Sequence, residues 1–132
     1  MILKRMLLCS AASLLVGSSA YLHAQGYPRG PINLVIPLAP GDAADIAARM
    51  MADDLARLVK VPVVPVNRPG AGGVVGNDSV VKAPKDGQTI LFTVSASLTF
   101  RRILEPDTVS YDPLKDLTPL GMATRSPINA DQ

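Results

Sequence analysis

Three stretches of this chain have residue types and spacings suited to chemistry. The first is Pro37-Leu38-Ala39-Pro40-Gly41-Asp42, with Asp45 close behind. If a strand ends near Pro37 and a helix begins near Asp42, the unpaired N–H groups of the helix start form an anion site. Gly41 would then let a ligand reach the backbone. The same residues also read as a turn at Gly41 and a helix cap at Asp42, and a capping carboxylate competes with an anionic ligand. The second stretch is Thr93-Val94-Ser95-Ala96-Ser97-Leu98-Thr99. Its hydroxyls follow an apolar run, at the strand end where open α/β sheets hold their ligands. They are either donors to a carboxylate or solvated loop hydroxyls.

The third stretch is Gly70-Ala71-Gly72-Gly73-Val74-Val75-Gly76, a G-x-G-x-x-x-G relative of the dinucleotide fingerprint. Asn67-Arg68-Pro69 separate it from the preceding strand, and the acidic ribose ligand due about 20 residues later is replaced by Leu91-Phe92-Thr93. A loop that packs a helix N-terminus close to the sheet fits these residues better; a dinucleotide-dependent enzyme remains the minor alternative. No G-x-S-x-G elbow is present. The single histidine is His23 and the single cysteine is Cys9, both near the N-terminus. A histidine-dependent catalyst and a dedicated metal site are therefore not expected, and neither is a cofactor.

The elements that must position these groups alternate between strand and helix patterns. Residues 32–37 form an apolar run after Pro28, Gly30 and Pro31 and read as a buried strand. Residues 42–60 have helical spacing, with Asp42 as N-cap and Asp45 in the first turn where a negative charge suits the helix dipole. Ala47, Met50, Met51, Leu55 and Leu58 fall on one face, and Asp45, Arg49, Asp53 and Arg57 alternate in sign on another. Residues 61–66 form a second strand, placed at a sheet edge by Pro62 and Pro65. Residues 67–73 are a loop, 74–82 a helix and 89–94 a third strand. Residues 95–104 are a loop entering a helix, 106–113 extended or looped, and 117–124 a fourth strand. Alternation of this kind points to an α/β fold with a mostly parallel sheet.

Composition narrows the reading. Of 132 residues, 48% are apolar and 18% charged, which is globular rather than disordered; 10 glycines and 12 prolines imply many turns. Lys4 and Arg5 are two of the 13 basic residues, and the other 11 are balanced by 11 acidic ones. No basic surface for nucleic acid is expected. Residues 1–24 read as a secretory signal peptide: a charged start, an apolar run over residues 6–16 too short to span a bilayer, and small residues leading to Ala24. The remainder, 25–132, is then exported, lacks cysteine and does not depend on disulfides.

Taken in order, these blocks resemble the substrate-binding proteins of the tripartite tricarboxylate transporters, the TctC or Bug family. The resemblance is carried by Tyr27-Pro28, by Pro31 through Gly41, by Asp45-Ile46-Ala47-Ala48-Arg49 and by Asn67-Arg68-Pro69-Gly70-Ala71-Gly72-Gly73. It continues through Pro84-Lys85-Asp86-Gly87-Gln88-Thr89 and Tyr111-Asp112-Pro113-Leu114-Lys115-Asp116-Leu117-Thr118-Pro119. It implies a type II periplasmic-binding-protein fold of two lobes, a small carboxylate or related organic solute in the cleft, no enzymatic activity, and delivery to membrane permease subunits. On this reading residues 25–132 are an incomplete first lobe with the second lobe absent, a monomer in the periplasm; a nonfunctional gene remnant is the alternative. The resemblance places Ala39, Pro40, Gly41 and Asp45 on one ligand loop and Ser95, Ala96 and Ser97 on the other. Asp42 and Ala96 stand where the family usually has glycine, and Arg101-Arg102 where it usually has Asn-Pro.

Overall fold

The computed structural model describes residues 26–123, and the expected signal peptide lies outside them. Its centre is strand β1 (Ile32–Ile36), flanked by β2 (Val63–Asn67) and β3 (Thr89–Leu91) in a parallel sheet of order β2-β1-β3. Four α-helices accompany the strands: α1 (Ala43–Val59), α2 (Val74–Val81), α3 (Ser95–Leu104) and the short α4 (Pro113–Asp116). Short 3-10 turns cover Ala71–Gly73 and Pro106–Thr108. No helix among the described residues is long and apolar enough to cross a membrane.

β1 is buried on both faces beyond its exposed second residue, Asn33, which explains the apolar run Leu34-Val35-Ile36. Ile32, Leu34 and Ile36 point to one face and pack with Ala48 and Ala52 of α1 and Val63 of β2. Val35 points the other way and is also buried. β2 is an edge strand, as its prolines implied. Arg68 N–H donates to Ile36 C=O at 2.8 Å, and the two-residue alternation of the ladder turns Pro65, which lacks an N–H, toward the open edge.

α1 starts and stops by local rules. Asp42 is extended, and its side chain accepts from Ala44 N–H. Lys60 adopts the left-handed conformation at the far end, its N–H bonded to the Ala56 carbonyl at 3.0 Å. The buried face differs from the one the hydrophobic spacing predicts. Met50 and Leu58 are exposed (68% and 78%), whereas Ala48, Ala52 and Asp45 are buried. The strand side chains fill the space between sheet and helix, so the helix docks through its small residues, with Met51, Leu55, Ala56 and Val59 packed around them. Asp45 tolerates burial because its charge is compensated, as described below.

Two further boundaries move. β3 closes after Leu91, although Phe92 N–H still donates to Val35 C=O at 2.9 Å. The expected fourth strand does not form over residues 117–123, which are mostly exposed, pair with no strand and include Pro119, which lacks a ladder donor. The ambiguous residues 95–104 are helical throughout.

Candidate functional site

In the order β2-β1-β3 the chain leaves β1 toward one neighbour and reaches β3 on the other side. The C-terminal ends of β1 and β3 therefore flank a topological switch point, where the diverging loops leave a crevice. A cleft of about 380 Å³ opens there. Ala39 contributes from the β1–α1 loop, Gly72 and Gly73 from the glycine cluster, and Ala96, Ser97 and Arg101 from α3. The structure thus brings Ala39, Ala96 and Ser97 to one place. Pro40, Gly41, Asp45 and Ser95 are not in its wall; Pro40, Gly41 and Ser95 are exposed beside it, and Asp45 is buried behind it.

The anion site expected at the start of α1 is filled by the chain's own carboxylates. Asp42 Oδ1 accepts from Ala44 N–H at 3.0 Å, and Gly41 N–H donates to Asp45 Oδ2 at 2.9 Å. Asp45 is 3% exposed, and both its oxygens are engaged. Arg49 donates from Nε to Oδ2 at 3.0 Å and pairs through Nη2 with Oδ1 at 3.0 Å. Asn67 Nδ2 donates to Oδ1 at 2.8 Å and to the Leu38 carbonyl at 3.1 Å, and Asn67 Oδ1 accepts from Arg49 Nη2 at 2.7 Å. Arg49, then the Gly41 N–H and the Asn67 amide, hold the Asp45 carboxyl at about 2. This closed network fastens the β1–α1 loop at Leu38 and Gly41 to the end of β2. Its sequence signals were the i,i+4 pair Asp45–Arg49 and the asparagine opening the Asn-Arg-Pro-Gly block. Neither shows that the two meet.

At the second loop, Ser97 is buried and its hydroxyl donates to the Val94 carbonyl at 3.0 Å. Having spent its proton there, it accepts from Thr93 Oγ1 at 2.7 Å. Thr99 Oγ1 donates to the Ser95 carbonyl. Ser97 is therefore part of the wall's framework, whereas Ser95 and Ala96 present the first backbone N–H groups of α3, which has no side-chain cap.

The glycine cluster is a packing device. A Cβ on Gly73 would lie 2.9 Å from Ser97 Cβ, one on Gly72 2.4 Å from Arg101 Nε, and one on Gly76 2.6 Å from Pro37 Cβ. Gly72 and Gly73 also have positive φ, of 62° and 98°. The approach a pyrophosphate would need is taken by α3 and by the end of β1, so the dinucleotide reading does not fit. The Tyr-Asp-Pro block is structural. Tyr111 is buried with its hydroxyl accepting from Asn77 Nδ2 at 2.8 Å, and Asp112 caps α4 through Leu114 N–H and pairs with Arg102 at 3.2 Å.

Residues 47–130 match the sequence profile of the family described as "Tripartite tricarboxylate transporter family receptor". The chain belongs to this family. BugT of Bordetella pertussis is 39% identical over 113 residues, covering 85% of this chain and 34% of that protein. A solved structure described as a periplasmic transporter superposes with a TM-score of 0.66 at 31% identity, over 68% of this chain and 30% of that one. MatC from Rhodopseudomonas palustris, solved with bound malate, gives 0.64 at 30% identity, over 70% and 31%. The chain spans about a third of the length of these relatives. A TctC-family receptor chain of this extent is a partial lobe of helices on a parallel sheet.

Proposed function

We propose that this chain supplies one wall of the ligand cleft of a periplasmic solute receptor, which captures a small organic acid and delivers it to the membrane permease of a tripartite tricarboxylate-type transporter. The observation that carries this reading is the meeting of the Ala39 loop and the Ala96 loop in one cleft at the switch point, in a chain of this family. Ala39, Pro40, Gly41, Ser95 and Ala96 are the proposed ligand-side residues, Ser97 supports the wall, and Asp45 acts from behind by holding the β1–α1 loop through Gly41 and Asn67. The malate in the MatC structure is consistent with a carboxylate ligand. Residues 1–24 are the proposed export signal, and the exported chain is a monomer without catalytic activity or cofactor.

The test is a titration of the isotopically labelled chain with malate, followed by NMR. Half a site binds weakly, so saturation is expected at millimolar and not micromolar concentrations. The amides of Ala39, Ser95 and Ala96 should shift together. Shifts confined to other surfaces, or none at these amides with any carboxylate, would overturn the reading.

A further inference from the structure

The cleft holds one charge. Of the residues lining it, Arg101 alone has an ionic side chain, and the one other polar side chain, Ser97, has its hydroxyl proton committed to Val94. The rest of the wall is aliphatic, aromatic or glycine, and it ends on Phe100 and Leu104, which are 62% and 74% exposed although large and apolar. Phe100, Arg101 and Leu104 share one face of α3 by helical spacing. A cation between two apolar side chains asks for a ligand that is anionic at one point and apolar beside it.

The guanidinium is placed by a missing side chain. Its Nε and Nη2 lie over Gly72, at 2.4 and 2.8 Å from where a Cβ would stand, so any other residue at position 72 would displace it. Nη1 is paired with Glu105 Oε1 at 2.6 Å, from the residue that caps the C-terminal end of α3. Both partners of that pair are well exposed, so the pairing is weak and an anion entering the cleft can displace it. Nε and Nη2 have no hydrogen-bond acceptor among the described residues.

We infer that Arg101 is a specificity-determining residue of this cleft: it receives the carboxylate of an organic acid whose apolar body lies against Phe100 and Leu104, and Glu105 is the counter-ion it leaves on binding. This rests on the proposed function and names the ligand chemistry of the same site. A compact, hydroxylated polyacid would leave Phe100 and Leu104 without a partner, whereas a carboxylate on an aromatic or branched carbon skeleton covers them.

The experiment titrates the chain with benzoate, acetate and the uncharged benzamide, following the amides of Ala39, Ala96 and Gly72. Benzoate should bind more tightly than acetate, and benzamide should not saturate. Arg101→Gln should weaken benzoate by about tenfold or more, since a charge-assisted pair is lost. Glu105→Gln should tighten it, because a competitor for the guanidinium is removed. Arg57→Gln, an exposed cation on α1, should change nothing, which separates Arg101 from overall charge; the same spectra report whether each variant is folded. Benzoate binding that survives Arg101→Gln within about twofold, or acetate binding as well as benzoate, would overturn the inference while leaving the carboxylate reading intact. No response of Ala39 and Ala96 to any carboxylate would overturn both.

Discussion

Gly76 sets two opposing effects against each other, and their sizes decide the outcome of Gly76→Ala. The residue lies in the first turn of α2, and helix propensity alone favours alanine there by about 1 kcal/mol. The added Cβ, however, would stand 2.6 Å from Pro37 Cβ, 2.7 Å from the Arg68 carbonyl oxygen and 2.8 Å from Pro37 Cα, whereas an ordinary carbon contact is roughly 3.5–4.0 Å. Two of these atoms are backbone and the third is in a proline ring, so no rotamer change relieves the clash. α2 must move away from the end of β1 by about 1 Å, and overpacking of that kind costs about 1–3 kcal/mol, more where backbone shifts. Because backbone must shift, the cost lies in the upper part of that range, so sterics outweigh propensity, leaving a net loss of about 1–2 kcal/mol and a melting temperature lower by roughly 4–16 °C in a domain of this size. Since Pro37 lines the cleft, benzoate binding should fall with it. Thermal melts of the variant, the parent and Gly30→Ala test this. A Cβ at Gly30 meets only Gln88 Nε2 at 3.7 Å, so that control should melt with the parent. A Gly76→Ala chain that melts at or above the parent would refute the argument.

Acid unfolding should report the Asp45 network. The carboxyl is held at about 2 in the fold against 3.8 in a free side chain, so its contribution is complete above about pH 4 and is lost as the pH falls toward 2. Asp78 and Asp112, both lowered, act in the same direction. Asp45→Asn should flatten the stability profile in that window, and an unchanged profile would mean that the network does not stabilise the fold. Asp42→Ala should lose about 1 kcal/mol in denaturant titrations by removing the cap on Ala44, and Asp42→Gly only a few tenths. Equal losses would show that the cap is not what Asp42 contributes. Asp42→Gly should also strengthen binding of benzoate by removing a like charge near the cleft, read by the same amide titration.

What the sequence made legible was local. The start of α1 at Asp42, the edge position of the proline-bearing β2 and the packing role of the glycine cluster all follow from a few neighbouring residues. What it hid was decided by partners far along the chain. Asp45 sits on a charged stripe of its own helix, and its burial is tolerated through Arg49 one turn on, the Gly41 N–H and Asn67, the last of these 22 positions away. Met50 and Leu58 look like core by periodicity, but the face a helix buries is chosen by what the sheet leaves room for. The hydroxyls of Ser95 and Ser97 are legible from their place after a strand and Ala96 only through the family resemblance, whereas the seat of the Arg101 guanidinium over Gly72 joins two distant segments and has no signal in the sequence. The misplaced fourth strand shows the same limit: residues 117–123 have apolar content but no pairing partner among the described residues.

The orientation of Pro65 also governs how this sheet can be extended. A strand docking beside β2 would need an N–H donor in the middle of that edge and would meet a proline ring instead, which disfavours pairing of two copies along β2. The flank beyond β3 has no such block. An additional strand, from elsewhere in the same polypeptide or from another molecule, is therefore favoured on the β3 side of the sheet.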